Sequence, residues 1–372
     1  MKIAMLAEPY VEVPPQKYGG TERVIYFLIK GLMERGHEVT LLAPGDSQVP
    51  CKLIPICEKH TFFGKDVEEN ITIERRVAEI HKRMKKILRA ILPHVDIIHS
   101  NAYDLIDFQE FPNLTTLHGP FLFSQLKYFE KREGLFYASI SENQQEGFPD
   151  LQYVGVCYNG LDPEEFPFVE KPQDYLCFIG RYDQEKNPHL AIELALRLGM
   201  KIKIAGKLDF QGKDYFEKVI KPYLAHPLVE NLGEIGMQEK IELISNARVN
   251  LHPTGFREPF GLTVLESAYC GTPTLAIEKG SMPELIEEGR TGLLVEDFVQ
   301  GYHHMDQLFS MDRRYISERA RNLFNYKIMA RQYELAYQKV IEIFEERAKL
   351  SEKTLKEMQT TRDILKGVWA EE

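Results

Sequence analysis

The stretch KIAMLAEPYVEVPPQKYGGTERVIYFLIKGLMERGHEVTLLAP, residues 2–44, decides the fold of this chain. KIAMLAE (2–8) and EVTLLAP (38–44) are short apolar runs with the look of buried strands. Between them, TERVIYFLIKGLMERGHE repeats Val24, Phe27, Leu28 and Leu32 at helical spacing and closes on Gly36. Strand, crossover helix, strand is the βαβ unit of a parallel sheet. The loop ahead of the helix places Gly19 and Gly20 at its N-terminus. Adjacent glycines let backbone approach a ligand closely, and the first N–H groups of a helix are open to an anion. The plainer reading of the pair is a flexible turn.

The same alternation continues. DIIHS (96–100), NLTTLH (113–118) and FYASIS (136–141) read as further strands of the first set. PEEFPFVEKPQ (163–173) is proline-rich and acidic, a linker by composition. A second set follows in DYLCFIG (174–180), KIKIAG (201–206), VENLGEI (229–235), ARVNLHP (247–253), PTLAIE (273–278) and TGLLVE (291–296), with helical stretches such as HLAIELALRLG between. Two α/β sets predict two doubly wound parallel-sheet domains facing across a cleft, with ligands beyond the carboxyl ends of the strands. We place the first domain at 1–165 and the second at 166–324. The helical segment from about 325 to 372 is expected to return and complete the first.

Length and composition agree. A chain of 372 residues suits two domains, and 44% hydrophobic with 27% charged residues is ordinary globular usage. A net charge of −10 argues against a nucleic-acid partner. Five scattered cysteines without CxxC spacing fit a reducing compartment better than disulfides or zinc. With no signal-like or membrane-spanning run, the expectation is a cytoplasmic protein.

Four loops fall at strand ends that face the expected cleft. The first is the glycine loop. In the second, IGRYDQEKNP, Arg181 and Lys186 pair two cations on one turn, which in an acidic chain suggests a diphosphate. A solvated surface turn is the alternative. The third, TLHGPF, ends a strand on His118, which there can donate to a hydroxyl or a developing oxyanion, although a lone histidine is more often structural. The fourth is REPFGLTVLESAYCGTP (257–273), a loop running into a helix, since Pro259 and Gly261 do not suit a helix interior. It carries Glu258 on the loop and Glu266 in the first helical turns. Both could line one cleft, and two such carboxylates could also be the acid and nucleophile of a glycosidase. No GxGxxG, no DxD pair and no metal-ligand spacing of histidines occurs, so neither a dinucleotide cofactor nor an obligatory metal is expected.

Taken together, these loops resemble family 4 of the retaining glycosyltransferases, whose GT-B fold sets two Rossmann-like domains face to face. The likeness covers about the first 340 residues. It rests on Gly19 and Gly20, the TLHG strand end, YNGLD (158–162), GRYDQEKNP, the Glu258 to Glu266 pair and GTPTLAIEKGSMPELIEEGRTGLLVE (271–296). The resemblance implies an enzyme that moves a hexose from a nucleoside-diphosphate sugar, UDP-hexose first and GDP-mannose second, to a hydroxyl acceptor that it does not identify. By the same token Arg181 and Lys186 hold the donor's diphosphate. Glu258 and the backbone around Phe260, Gly261 and Leu262 hold the transferred sugar. Glu266 accepts from the ribose hydroxyls, Gly19 and Gly20 lie near the phosphates and acceptor, and His118 lies near the donor sugar. The catalytic set implied is His118, Arg181, Lys186 and Glu258. FNYKIMARQYELAYQKV (324–340) resembles the family's closing helix. One departure stands out: many relatives carry an aspartate where this chain has Gly119.

The rivals are a nucleotide-sugar epimerase or phosphorylase on the same frame, and a non-catalytic nucleotide-sugar-binding protein. A glycosidase explains neither Arg181 nor Lys186. RRVAEIHKRMKKILRAIL (75–92) has an apolar face of Val77, Ile80, Met84, Ile87, Leu88 and Ile91 ringed by seven Lys or Arg residues. It reads first as a crossover helix packed on the sheet, and second as a peripheral contact with anionic lipid.

Overall fold

The structure, a computed structural model, describes residues 1–17, 19–61, 67–101, 105–119, 133–209 and 212–369. Tyr18 of the glycine loop, Pro120 and Phe121 of TLHGPF and residues 370–372 of the closing segment lie outside the described residues.

The first sheet contains β1 (Lys2–Leu6), β2 (Glu38–Pro44), β3 (Lys52–Cys57), β4 (Ile97–Ser100), β5 (Asn113–Thr116), β6 (Tyr137–Ser139) and β7 (Tyr153–Val156). Their order is β3-β2-β1-β4-β5-β6-β7. The second contains β8 (Tyr175–Ile179), β9 (Lys201–Ala205), β10 (Val229–Gly233), β11 (Val249–His252), β12 (Thr274–Ile277) and β13 (Gly292–Val295), in the order β10-β9-β8-β11-β12-β13. The pairings in both are parallel; Ile3, for example, lies opposite Val39 on β2 and Ile97 on β4. Ile3 to Leu6 are fully buried, as strands covered by helices on both faces must be. In each sheet the strand order reverses beside the first strand, so loops on either side diverge and leave a crevice at the carboxyl ends.

Helices cover the sheets. The first crossover helix, Gly20–Glu34, buries Val24, Ile25, Phe27, Leu28 and Leu32. The basic helix Val67–Ile91 buries Val77, Ile80, Met84 and Leu88 in one cluster with Ala4, Leu6 and Ile98 of the first sheet. Its apolar face is therefore spent on the core, as the crossover reading expects. Lys85 pairs with Asp107 at 2.7 Å. Among the described residues no helix is long and apolar enough to cross a membrane.

The chain leaves the first sheet at Val156 and enters the second at Tyr175. It comes back at Asn325, where the backbone N–H of Tyr326 donates to the carbonyl of Leu161 at 3.0 Å. The long helix Tyr326–Trp369 then buries Met329, Ala330, Tyr333, Ala336, Tyr337 and Val340 in the first domain's core. The Tyr326 hydroxyl donates to Glu34 at 2.9 Å, and Glu334 lies 3.0 Å from Nε2 of His37. Burying apolar side chains stabilises by about 1.5–3 kcal/mol each, so this packing fixes the first domain beneath the cleft.

Candidate active site

Every site residue expected from the sequence lies on one cleft: Gly19, Gly20, His118, Arg181, Lys186, Glu258, Phe260, Gly261, Leu262 and Glu266. The cleft is lined by six lysines and arginines (Lys17, Arg23, Arg181, Lys186, Lys207 and Lys240) against three glutamates (Glu234, Glu258 and Glu266). In a chain of net charge −10 this is a local reversal of sign, which suits a polyanion.

The second domain supplies most of the charge. Arg181 follows β8 and is held among acids, 3.2 Å from Asp183, 3.2 Å from Glu185 and 3.7 Å from Asp209. Lys186 sits on the same turn. Asn187, in the left-handed region at φ 48°, ends that turn and starts the helix Pro188–Leu198. The turn is tied to the glutamate loop: the N–H of Gly255 donates to Glu185 at 2.8 Å, and Asn187 Nδ2 donates to Pro253 at 3.1 Å. That brings Lys186 Nζ into a direct ion pair with Glu258. Nζ also lies 4.7 Å from the ring centroid of Phe256.

Burial alone would raise the Glu258 carboxyl, but Lys186, with Arg181 behind it, outweighs burial and holds Glu258 below its ordinary value. His252 closes β11 beneath this pair, with Nε2 3.8 Å from Glu258. Burial first, then Lys186, push its imidazole down to about 4, so it is neutral. The loop itself is braced by Ser281, whose Oγ donates to the Phe260 carbonyl at 2.6 Å and whose N–H donates to the Glu258 carbonyl at 3.0 Å.

Gly261, at φ 91°, turns this loop into the helix Leu262–Tyr269. A side chain there would be strained and would meet Met282 Cε at 2.6 Å. Glu266, in the next turn, is 1% exposed and paired with Lys240 of the helix Met237–Asn246.

The first domain adds Lys17 and Arg23 to the lining and otherwise faces the cleft with backbone and neutral groups. Gly19, at φ 152°, precedes the helix Gly20–Glu34, whose N-cap position makes no side-chain bond; in the first turn the buried Glu22 accepts from its own backbone N–H, and burial pushes its carboxyl up to about 7. A Cβ on Gly20 would lie 3.0 Å from Leu262 Cδ1, so the two domains touch here. His118, two residues beyond β5, places Nε2 2.9 Å from Asn101 Oδ1, and burial pushes its imidazole down to about 4. At the lip, Glu284 of the second domain accepts from the N–H groups of Glu142 and Asn143 at 2.8 and 2.9 Å and from the Tyr158 hydroxyl at 2.8 Å. Arg257, next to Glu258, pairs with Glu146 at 2.6 Å, so this clasp joins both domains beside the site.

Lys240, His252 and Asn101 escaped sequence reasoning. Lys240 is one of several polar residues on a surface helix, and nothing nearby in sequence points to Glu266. His252 carried a usable signal, because a histidine closing a parallel strand is the same placement that singled out His118.

Two facing doubly wound domains with the cleft at their strand ends define the GT-B architecture of glycosyltransferases. Comparison with known proteins agrees. Residues 18–148 match the family described as Glycosyltransferase Family 4, and residues 163–322 match Glycosyl transferases group 1. The chain is 26% identical over 345 residues to glycogen synthase of Mycobacterium tuberculosis, covering 79% of this chain and 82% of that one. In fold it is similar to sucrose-phosphate synthase from Thermosynechococcus elongatus, with TM-score 0.72 and 18% identity over 92% of this chain and 99% of that one. It is also similar to Anabaena HepE in complex with UDP and glucose, with TM-score 0.67 and 16% identity over 90% and 98% of the two chains. The chain belongs to the group 1, family 4 glycosyltransferases and is a glycosyltransferase enzyme.

Proposed function

We propose that the enzyme transfers a hexose, with retention at the anomeric carbon, from a nucleoside diphosphate to a hydroxyl of an acceptor seated on the first domain. A UDP-hexose is the first candidate donor and GDP-mannose the second. The observation that carries this reading is the sign of the cleft, six cations against three carboxylates in an acidic chain. The UDP and glucose held by the similarly folded HepE support it.

Arg181 and Lys186 take the diphosphate, and the helix ends at Gly20 and Leu262 add N–H groups. We assign the charge that neutralises the diphosphate to these cations. Glu258 and Glu266 are acceptor-only groups. They suit hydroxyls and repel phosphate, so we assign Glu258 to the sugar and Glu266 to the ribose diol. The base lies against Ile235 to Met237, where the cleft wall is backbone and apolar side chain.

The acceptor oxygen forms the new bond to the anomeric carbon while the bond to the phosphate oxygen breaks. The electron pair leaves with the diphosphate, and the acceptor's proton passes to that departing oxygen on the same face. Charge grows on the phosphate as this happens, where Arg181 and Lys186 stabilise it.

A thermal-shift screen of nucleotide sugars tests the reading. A donor at a hundred times its Kd stabilises the folded protein by about 2.7 kcal/mol. Shifts with UDP-glucose or GDP-mannose but not with free hexoses are expected; no shift with any nucleotide sugar contradicts it. Incubating the donor without acceptor separates the rivals. An epimerase converts it unaided, a binding protein leaves it intact even with acceptors, and a transferase consumes it when acceptor is added.

A further inference from the structure

A hydrogen-bond chain crosses three strand ends beneath the first domain's wall. Asn101 follows β4, which lies between β1 and β5 in the sheet. It is 3% exposed. Its backbone N–H and its Nδ2 both donate to the carbonyl of Leu6 at the end of β1, at 3.2 and 3.1 Å. Its Oδ1 lies 2.9 Å from His118 Nε2 beyond the end of β5.

These contacts orient the amide. Turning it over would set Oδ1 against the Leu6 oxygen, two acceptors with no proton between them. With Nδ2 engaged by Leu6, Oδ1 can bond the imidazole only by accepting a proton from Nε2.

A neutral imidazole carries one proton, so placing it on Nε2 leaves Nδ1 a bare lone pair. The ring is neutral because burial holds it to about 4. Burial, and then His118, hold the neighbouring His99 to about 3. His99 is itself locked, with Nδ1 2.7 Å from the Tyr337 hydroxyl and Nε2 2.9 Å from Thr116 Oγ1.

We infer that Asn101 is a positioning residue that fixes His118 as the Nε2–H tautomer, so that the ring offers the cleft an acceptor and takes a hydroxyl of the transferred sugar. This reverses the direction of bonding expected from the sequence, where His118 donates. It also sets specificity. A bare nitrogen lone pair welcomes a hydroxyl and repels a carboxylate, so a hexose is selected over a hexuronate at that position. The ligand half of the inference rests on the proposed hexosyl donor; the tautomer does not.

Long-range proton–nitrogen correlation of the histidine rings reads the tautomer with no donor present, with His118 assigned by its loss in His118→Gln. The wild type should show a protonated Nε2 and a bare Nδ1 from about pH 8 to pH 5.5, since the ring titrates below that window. In Asn101→Asp the new carboxylate should stabilise the imidazolium, and both ring nitrogens should be protonated near pH 6. In Asn101→Leu, shown folded by its circular dichroism, the donor KM should rise about three- to tenfold with kcat much less affected, the loss expected for one neutral hydrogen bond. The donor is UDP-glucose, or GDP-mannose if that is the one that binds. A wild-type proton on Nδ1, titration near the free imidazole value, or an unchanged donor KM in folded Asn101→Leu would overturn the inference. Failure of every nucleotide sugar to bind would instead sink the proposed function, while the ring measurement still decides the tautomer.

Discussion

The two walls of the cleft hold their ligand-facing groups by different means. On the second-domain wall charge is held by charge: Lys186 by Glu258, Lys240 by Glu266, and Arg181 among three acids. On the first-domain wall, apart from Lys17 and Arg23 at the glycine loop, the groups are neutral and rigidly bonded, with Asn101 tied to Leu6 and His118 tied to Asn101. Oriented charges gain most where charge develops during a reaction, whereas neutral hydrogen bonds change little between ground and transition states. The difference teaches a division of labour: one wall favours departure of the diphosphate, and the other fixes where the sugar sits.

Removing both cations of the charged wall attacks that division hardest. Each charge-assisted contact contributes about 1.5–3 kcal/mol, so the Arg181→Ala, Lys186→Ala double variant should lose on the order of a thousandfold in kcat/KM. Steady-state kinetics with the donor found by thermal shift checks it. Next in size is Glu266→Gln, for which donor titration should show a Kd weakened by roughly ten- to a hundredfold. The fold must be confirmed first, because Glu266 is 1% exposed.

Acid sharpens the comparison by acting on buried neutral groups behind both walls. His99 and His252 titrate at about 3 and about 4 in the folded protein. The unfolded chain takes up those protons near pH 6.5, so stability is highest above about 6.5 and falls as pH drops towards about 4. Urea unfolding from neutral to acid pH should show this slope, and His99→Gln should flatten it; an unchanged slope would mean that His99 is already charged in the fold. The smallest effect belongs to the clasp at the lip. Glu284→Ala removes three accepted hydrogen bonds at the domain contact, and a few-fold fall in kcat/KM with little change in chemistry at saturating donor is expected.

Much of the fold was legible because parallel strands covered on both faces must be apolar throughout. EVTLLAP coincides with β2, and KIKIAG and PTLAIE differ from β9 and β12 by a residue or two at the ends. Two strands were missed, β3 and β7, and both are edges. KLIPIC contains Pro55, which reads against a strand yet is tolerated where one side of the ladder is unpaired. YVGV is partly exposed along its length, and Gly155 weakens its pattern. The site divided in a similar way. Residues on loops announced themselves by glycine, proline and paired charge. Lys240, His252 and Asn101 act through partners distant in sequence, such as Leu6 for Asn101, and local pattern cannot report such contacts.

The division between driving and holding is tested most directly by donor-saturation kinetics on Lys186→Ala and Glu266→Gln side by side. The cation facing the departing phosphate should show its loss in kcat, and the carboxylate holding the ribose should show its loss in donor KM. If Lys186→Ala keeps a near-normal kcat while folded Glu266→Gln loses turnover altogether, the glutamate takes part in the chemistry and the assignment of the charged wall is wrong.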